Sequence, residues 1–262
     1  MLAISMPSLN AAEEDELDLK LIYELFSSLP RGAPGSRETT RSAISRLGRL
    51  PRGTLVLDLG CGTGAQTEIL AASGFRVVSV DVSEYVLGRL KRRIADAGAE
   101  KKVNPLAADM KALPFRKETF GLAWCEAAIY NMGFCNGLIE LAEYVRPGGF
   151  LAVSEIVWLV TEPTPENKEF WAAEYPGMYN LDEARTAIGH AGLDLLDDHL
   201  LPESDWEDNF YTPLEMTLPD FEAAHQDNPA ASELAEMCRT EIRMHRTYGD
   251  EYGFALFLLR KK

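Results

Sequence analysis

Short apolar runs alternate with amphipathic segments along most of the chain. An apolar run of four to eight residues bounded by turn residues is typical of a buried strand, whereas apolar positions three and four apart indicate a helix. The pattern predicts strands near residues 55–59, 76–80, 103–107, 120–126, 149–156, 194–201 and 253–260. It predicts helices near residues 64–73, 83–97, 135–145 and 181–191. This alternation favours an α/β fold, in which helices cover both faces of a parallel sheet.

Helices are also predicted at both ends of the chain. Four apolar side chains at helical spacing predict an amphipathic helix over residues 17–29, after an acidic cluster at residues 13–18: Leu21, Ile22, Leu25 and Phe26. Residues 30–36 are rich in glycine and proline, and Ser36 is a candidate N-cap for a basic helix that reaches Leu47. This loop is interpreted either as an entrance lid or as a simple connection. A long helix over residues 232–248 precedes the last strand.

The first strand ends in a glycine-rich loop, Asp58-Leu-Gly60-Cys-Gly62-Thr-Gly64, and a helix follows. Glycine lets the backbone turn sharply and lets a ligand approach the main chain closely. The free N–H groups at the start of the helix then face an anion or another hydrogen-bond acceptor. The loop therefore predicts a nucleotide-type cofactor. The spacing Gly60-x-Gly62-x-x-Ala65 also fits the dinucleotide fingerprint, so the glycines alone leave a nicotinamide or flavin cofactor open.

Acidic residues at three strand ends narrow the choice of cofactor. Asp58 lies two residues before the first glycine, where a carboxylate can face a cationic amino group. Asp81 ends the second strand and is placed to accept hydrogen bonds from two ribose hydroxyls in either cofactor class. Asp109 and Met110 follow the third strand. A dinucleotide fold has no particular need for an acid at that third position, whereas a cofactor whose adenine lies at the tip of the third strand does.

With these motifs the chain resembles the class I S-adenosylmethionine-dependent methyltransferases. The resemblance rests on Asp58 to Gly64, Asp81, Asp109-Met110 and Arg146-Pro-Gly-Gly149, and it covers residues 55–154. It implies a Rossmann-like seven-stranded sheet of order 3-2-1-4-5-7-6, with the last strand antiparallel. It also implies S-adenosylmethionine as the cofactor and S-adenosylhomocysteine as the product. The Arg146–Gly149 segment is interpreted as a turn that identifies the fold without touching the chemistry.

Three further segments resemble a subgroup of bacterial and archaeal small-molecule methyltransferases. This subgroup is often labelled similar to the ubiquinone/menaquinone-biosynthesis C-methyltransferases. The segments lie at residues 35–40, 126–134 and 201–211. The resemblance does not establish a quinone as the acceptor.

The resemblance assigns candidate site residues by position. The expected cofactor-binding residues are Asp58, Gly60, Gly62, Gly64, Gln66, Asp81, Val82, Asp109, Met110 and Glu126. The segment after the fourth strand lies beside the transferring methyl group in this fold, so Glu126 and Tyr130 are the candidate catalytic residues. Tyr130 and Asn131 are expected to orient the acceptor, and Glu155 at the end of the fifth strand is a second candidate acid.

Two insertions are peculiar to this chain, at residues 157–181 and 202–232. They are rich in aromatic residues and follow strands whose carboxyl ends point to the cofactor side of such a sheet, where ligands bind in open α/β folds. They are predicted to form a helical cap over the acceptor, with Trp206 and Tyr211 lining the pocket. The alternative is that many of these rings only pack the cap against the sheet.

Length and charge bound the remaining possibilities. A chain of 262 residues fits a single domain, divided into N-terminal helices and entrance loop (1–50), cofactor-binding core (51–156) and cap insertions. The net charge is −15, and residues 160–262 hold 22 acidic residues against 8 lysines and arginines. Such an acidic half repels phosphate backbones, so a nucleic acid acceptor is disfavoured. The excess serves solubility or favours a neutral or cationic acceptor.

Several other expectations concern location and partners. No apolar run approaches ~20 residues, so no membrane span is predicted. Residues 1–10 lack the basic and apolar regions of a secretion signal. The four cysteines, Cys61, Cys125, Cys135 and Cys238, show no metal-binding spacing, so we expect reduced thiols in a cytoplasmic protein and no metal. A homodimer is left open.

The predicted reaction is methyl transfer to a small-molecule acceptor by direct in-line displacement, which needs alignment, exclusion of water and proton management. Two alternatives are kept. One is a nicotinamide-dependent oxidoreductase, on the Gly60-x-Gly62-x-x-Ala65 spacing. The other is a non-catalytic S-adenosylmethionine-binding regulatory protein.

Overall fold

A computed structural model describes residues 13–262, with side chains described from residue 19 onward. The expectation that residues 1–10 are not a secretion signal therefore lies outside the described residues. The side chains of the acidic cluster at residues 13–18 lie outside them as well.

Seven strands form one mixed sheet. The strands are β1 (Leu55–Leu59), β2 (Arg76–Asp81), β3 (Val103–Ala107), β4 (Phe120–Cys125), β5 (Val145–Trp158), β6 (Leu193–Leu200) and β7 (Tyr252–Lys261). Their order is β3-β2-β1-β4-β5-β7-β6. Strands β1 to β5 pair in parallel, whereas β7 is antiparallel to both β5 and β6. The predicted Rossmann-like sheet and its strand order are confirmed.

The helices follow the predicted positions closely where the apolar spacing is regular. They are α1 (Glu13–Ser28), α2 (Arg37–Arg46), α3 (Ala65–Ala72), α4 (Glu84–Asp96), α5 (Phe134–Tyr144), α6 (Pro165–Glu174), α7 (Leu181–His190), α8 (Glu203–Trp206), α9 (Thr212–Ala224) and α10 (Pro229–Tyr248). Ser36 caps α2 by accepting a 3.0 Å hydrogen bond from the Thr39 amide, as the sequence predicts. Asn180 and Glu183 form a reciprocal capping box at the start of α7. Both caps satisfy amides that a helix start leaves unpaired.

Alternate residues of each strand feed two hydrophobic cores, one on each face of the sheet. Val56 lies in the core shared with α1, α4, α9 and α10, whereas Leu57 lies in the core shared with α5 and α7. The first core holds most of the large rings of the second insertion, including Trp206, Phe210 and Tyr211. No helix of the described residues is long and apolar enough to cross a bilayer.

One predicted local structure needs correction. Arg146 to Gly149 were expected to form a turn, but the backbone hydrogen bonds place them inside β5. The pairing with β4 is irregular there, because Phe120 pairs with Val145 while Leu122 pairs with Phe150. Gly148 adopts a φ of 72°, which a side chain rarely allows. The segment is therefore a bulge within a long strand, and it lies at the end of β5 opposite to Trp158.

Candidate functional site

The carboxyl ends of the parallel strands meet at one edge of the sheet. The register places Leu59 beside Val80 and Asp81 beside Ala107, so β1, β2 and β3 end at nearly the same level. The strand order changes direction between β1 and β4, and open α/β sheets bind ligands at such a switch point. The glycine loop after β1 lies at this position.

The three glycines of the loop serve different purposes. Gly60, Gly62 and Gly64 all have positive φ, at 67°, 53° and 83°. A Cβ on Gly64 would lie 1.9 Å from Leu90 Cδ1, and one on Gly60 would lie 2.4 Å from Ala128 Cβ, so both are required by packing. A Cβ on Gly62 would meet no atom within 4 Å. Gly62 thus borders open space at the start of α3.

Asp58 is a fully buried carboxyl beside this space. It accepts hydrogen bonds from the Thr67 hydroxyl and, at 3.4 Å, from the Gln66 amide. Burial raises its pKa to about 7, with smaller contributions from the charges of Glu126 and Asp81, against which the two hydrogen bonds act. Burial of an anion costs free energy unless a cation compensates. The ammonium group of an amino-acid ligand is a cation that fits this carboxyl.

Asp81 holds the glycine loop and the start of α4 together. Its Oδ2 accepts a 3.0 Å hydrogen bond from the Gly62 amide, and its Oδ1 accepts one of 3.0 Å from the Ser83 amide. Each carboxylate oxygen has a second lone pair, which leaves acceptor capacity for two ligand hydroxyls. Tyr23 of α1 lies close enough for Asp81 to contribute to the rise of its pKa to about 12, which is mainly caused by burial. Helix α1 therefore borders the site at Asp81.

The residues after β2 and β3 are partly open. Val82 is 43% exposed beside Asp81. Asp109 accepts a 2.9 Å hydrogen bond from the Lys111 amide, which fixes the turn after β3. The methyl carbon of Met110 lies near Gly60, at 3.6 Å from the position of a Cβ there. These apolar and acidic groups form a partly exposed surface beside the glycine loop.

Glu126, a predicted catalytic and cofactor-binding residue, is already engaged. Arg31 pairs with its Oε1, and the Trp124 indole donates a 2.9 Å hydrogen bond to its Oε2. Removal of one partner from such a buried pair typically costs 3–5 kcal/mol. Gly35 lies against the pair, because a Cβ there would be 2.8 Å from Glu126 Oε1. The next residue, Ala127, has a φ of 51°, a strained conformation of the kind that clusters at functional sites.

The loop at residues 30–36 is packed against the core at this position. Arg93 donates a 2.8 Å hydrogen bond to the Pro30 carbonyl. The Gly35 amide donates a 3.1 Å hydrogen bond to the carbonyl of Asp205, and the Thr39 hydroxyl donates to the Asp205 carboxylate. The loop at residues 30–36 is therefore joined to the second insertion.

Tyr130 and Asn131 lie on a 3-10 turn, Ile129–Met132, after β4. The Tyr130 ring contacts the edge of the Tyr175 ring, with centroids 6.2 Å apart. Burial raises the pKa of Tyr130, and the charge of Glu155 adds to it. Asn131 uses its side-chain amide to donate a 3.0 Å hydrogen bond to the Ala128 carbonyl, so it stabilises its own turn. Tyr130 thus lies against the first insertion, beside Glu155.

Trp206 and Tyr211 do not line an open pocket, which corrects the prediction made for them. Trp206 is 2% exposed and stacks on His245 and Phe254, at centroid distances of 4.4 and 5.2 Å. Tyr211 has no exposed surface and donates a 3.0 Å hydrogen bond to Glu241. Aromatic composition did not distinguish a pocket wall from a core, because both bury rings. The second insertion packs its rings against β7 and α10.

The sequence missed several residues of the site. Arg31 lies in the glycine- and proline-rich segment at residues 30–36 and was not singled out. A cation in a segment beside the site could have indicated a partner for an acidic site residue such as Glu126. Tyr175 carried no signal beyond its aromatic character. Thr67 and Tyr23 lie one helical turn or more from the motifs, so only the fold brings them to Asp58 and Asp81.

Comparison with known proteins agrees with this geometry. A methyltransferase domain family matches residues 56–149. Sterol 24-C-methyltransferase of Saccharomyces cerevisiae is 28% identical over 63% of this chain and 45% of its own length. Demethylmenaquinone methyltransferase of Corynebacterium urealyticum is 40% identical over 45% of this chain and 47% of its own length. The chain thus spans just under half the length of these curated relatives.

A solved structure extends the likeness to the cap. The S-adenosylmethionine-dependent methyltransferase of Geobacter sulfurreducens, in complex with S-adenosyl-L-homocysteine, has a TM-score of 0.78 and 24% identity, over 92% of this chain and 98% of its own. At that identity the likeness concerns the fold. Residues 56–149 thus form a methyltransferase domain, and the motifs and the strand order are those of the class I S-adenosylmethionine-dependent methyltransferases, whose cofactor is S-adenosylmethionine. No finding supports the nicotinamide or the regulatory alternative.

Proposed function

We propose that this protein transfers the methyl group of S-adenosylmethionine to a small-molecule acceptor by direct in-line displacement. The observation that carries the proposal is the open space at Gly62, bordered by the buried carboxyl of Asp58 and the half-buried carboxyl of Asp81. The residues at this edge fit the cofactor. A sulfonium cofactor supplies an activated methyl group with a good leaving group.

In this proposal each strand end binds one part of the cofactor. Asp58 compensates the ammonium group, and Asp81 accepts hydrogen bonds from both ribose hydroxyls. Val82 and Met110 pack against the adenine, and Asp109 lies at its edge. Gly60 and Gly64 hold the loop in shape, while Gly62 and Gln66 face the amino-acid portion. The strongest of these contacts are charge-assisted, which makes Asp58 and Asp81 the main determinants of affinity.

Glu126 and Tyr130 are proposed to act on the acceptor side. The Arg31 contact fixes the orientation of the Glu126 carboxylate, so Glu126 is held beside the transferring methyl group at the border between cofactor and acceptor. Tyr130 orients the acceptor, because its ring lies between the segment after β4 and the first insertion. The cap and entrance loop exclude water from the reacting atoms.

The acceptor is proposed to be a small molecule rather than a nucleic acid. The chain carries a net charge of −15, which disfavours a phosphate backbone. The four cysteines form no disulfide, which suits a reducing, cytoplasmic compartment.

Ligand-dependent melting tests the proposal directly. S-adenosylmethionine and S-adenosylhomocysteine should each raise the melting temperature, whereas NAD and NADP should not. A ligand at ~100 times its Kd adds about 2.7 kcal/mol of apparent stability. Stabilisation by NAD without stabilisation by S-adenosylhomocysteine would contradict the proposed cofactor.

Turnover of an acceptor found by a metabolite screen tests the roles after β4. Tyr130→Phe and Glu126→Gln should lower kcat and leave S-adenosylhomocysteine affinity within a few-fold. Glu169→Gln, an exposed position on α6, serves as the control and should change neither. Unchanged kcat in both site variants would make Glu126 and Tyr130 structural residues.

A further inference from the structure

Glu155 is a buried acid on the acceptor side of the site. Strand β5 continues beyond Val153, the last residue that pairs with β4, so Glu155 lies level with the segment that follows β4. The preceding residue, Ser154, accepts a 2.7 Å hydrogen bond from the Ala127 amide. Glu155 is thus built into the wall beside the segment that holds Glu126 and Tyr130.

The Glu155 side chain is only half satisfied. It has no exposed surface, and its Oε1 accepts a 3.1 Å hydrogen bond from the Ile156 amide. Its Oε2 is buried and makes no hydrogen bond of ordinary length with the described residues, although the Tyr175 phenol lies close enough to the carboxyl to favour its charged form. Among the same residues, no lysine, arginine or histidine forms an ion pair with it. A buried carboxyl in this condition is costly, and such groups are found where a ligand completes them.

Two tyrosine rings accompany this carboxyl. Tyr130 and Tyr175 meet edge to face beside it, and the charge of Glu155 adds to the effect of burial in raising the pKa of both phenols. A carboxylate together with aromatic rings is a typical environment for a bound ammonium group. The surroundings of Glu155 therefore favour a cationic group over an anionic one.

We propose that Glu155 binds the reacting nitrogen of an amine acceptor, through Oε2, and receives its proton during methyl transfer. The inference rests on the proposed function and adds the chemical class of the acceptor. Tyr130 and Tyr175 flank the nitrogen with their rings.

The proton and electron balance of the step is simple. The lone pair of a neutral primary or secondary amine attacks the methyl carbon, a C–N bond forms, and the C–S bond breaks with its electron pair retained on sulfur. The product nitrogen carries a positive charge and one proton too many. That proton passes from nitrogen to Glu155 Oε2, which leaves a neutral methylated amine and a protonated carboxyl.

The surrounding charges favour this acceptor over an anionic one. Arg31 balances the charge of Glu126, and the ammonium group of the cofactor would balance that of Asp58, whereas no cation balances Glu155 among the described residues. A carboxylate, phosphate or phenolate acceptor would therefore be repelled by the charged form of Glu155. An amine develops positive charge on its nitrogen as the C–N bond forms, and the charged form of Glu155 favours that charge until the proton is transferred. The acid excess of residues 160–262 acts in the same direction.

The ionisation of Glu155 supports a proton-accepting role. Burial raises its pKa to about 8, which approaches the range in which amines lose a proton. The titratable groups that face it are Cys125 on β4, Tyr130 after β4 and Tyr175 after α6, and burial raises the pKa of all three thiol or phenol groups. All three stay neutral through the pH range in which Glu155 titrates. General bases work best when their pKa lies near the working pH.

The experiment uses the full-length protein saturated with S-adenosylhomocysteine and a panel of primary and secondary alkyl and aryl amines. Binding is measured by calorimetry, and methylation of the same panel is measured with S-adenosylmethionine. The variant Glu155→Gln keeps the shape of the side chain and should weaken amine binding at least tenfold and lower kcat about 100-fold or more. Its S-adenosylhomocysteine affinity should stay within threefold, and Glu169→Gln should behave as wild type.

The outcomes separate this inference from the proposed function. Failure of wild type to bind S-adenosylhomocysteine would refute the proposed function. Normal cofactor binding with methylation of phenols, thiols or carbon acids and of no amine would refute the amine assignment alone. Binding of no panel amine would also refute it. Amine turnover by Glu155→Gln at the wild-type rate would remove Glu155 from the reaction while leaving the acceptor class intact.

Discussion

The two sides of the site differ in how their polar groups are satisfied. On the proposed cofactor side, Asp81 and Asp109 accept hydrogen bonds from backbone amides of the loops that they belong to or adjoin. On the proposed acceptor side, Glu126 pairs with Arg31, which is 95 residues away in sequence, and Glu155 Oε2 makes no hydrogen bond of ordinary length with the described residues. Local satisfaction keeps a binding site in shape without its ligand. Partners that are distant in sequence, such as Arg31 for Glu126, come together only in the folded protein.

The largest expected effect concerns two glycines of the loop, Gly64, which is required by packing, and Gly62, which borders open space. Gly64→Ala should lower the free energy of unfolding by about 2–4 kcal/mol, because a left-handed backbone and a contact with Leu90 oppose the methyl group. Gly62→Ala should cost only about 1–2 kcal/mol for the backbone alone, yet it should weaken S-adenosylhomocysteine binding at least tenfold. Urea denaturation and calorimetry measure the two quantities. Equal loss of stability in both variants would erase the distinction between them.

The next effect tests the ribose contact. Asp81→Ala should weaken S-adenosylhomocysteine binding by about 1.5–3 kcal/mol, because it removes charge-assisted hydrogen bonds to two hydroxyls and frees the Gly62 amide. Asp96→Ala, at the exposed end of α4, is the matched control and should bind as wild type. Calorimetry at one ionic strength measures the S-adenosylhomocysteine affinity of both variants. Wild-type affinity of the Asp81 variant would show that the cofactor side does not depend on this acid.

A smaller effect links Glu155 to pH. Its pKa rises from 4.5 in a model peptide to about 8 in the fold, so the folded state keeps a proton that the unfolded chain has lost. Its contribution to stability is therefore present below pH ~4.5, falls as the pH rises and levels off above pH ~8. Glu155→Gln should match wild type at pH 4 and exceed its free energy of unfolding by about 1–3 kcal/mol at pH 8.5.

Burial also raises the pKa of Asp58, which affects wild type and variant alike. The difference between their free energies of unfolding at each pH therefore reports on Glu155. A variant that is more stable and less active is the expected signature of a buried functional acid. Destabilisation of the variant at pH 8.5 would contradict the absence of a partner for Oε2.

The smallest effect compares two tyrosines of the cap. Tyr211→Phe removes the hydrogen bond to buried Glu241 and should cost about 1–2 kcal/mol of stability, without changing cofactor affinity or acceptor KM. Tyr175→Phe is the same chemical change beside Glu155, and it should raise the acceptor KM with little effect on stability. A raised KM in the Tyr211 variant would restore that ring to the acceptor pocket.

Much of the fold could be predicted because its signals are local. The apolar runs gave the strands, and the resemblance of Asp58 to Gly64 to a known family gave their order. Predicted helix bounds at residues 83–97 and 135–145 differ from α4 and α5 by a residue at each end. The error at Arg146 to Gly149 arose because Pro147 and two glycines normally mark a turn, whereas here a bulge accommodates them within β5.

The candidate site could be predicted only in part. Residues that end a strand, such as Asp81, are fixed to one edge of the sheet by topology alone. Arg31 and Tyr175 reach the site only through tertiary packing, which no spacing encodes. The burial of Trp206 and Tyr211 could not be predicted either. The same local sequence allows a ring in an insertion to face a ligand or the core.

The hydrogen bonds from Gly35 and Thr39 to Asp205 have a consequence for the entry and release of the cofactor. They join the loop before α2 to the start of the second insertion, so these two segments at the rim of the site are held together and do not move independently. Exchange of product for fresh cofactor then has to move this rim as a unit or pass it by another side. The substitution Asp205→Ala would remove the bond from Thr39 but keep the backbone bond from Gly35, so it would loosen this join and should alter the rate of cofactor exchange.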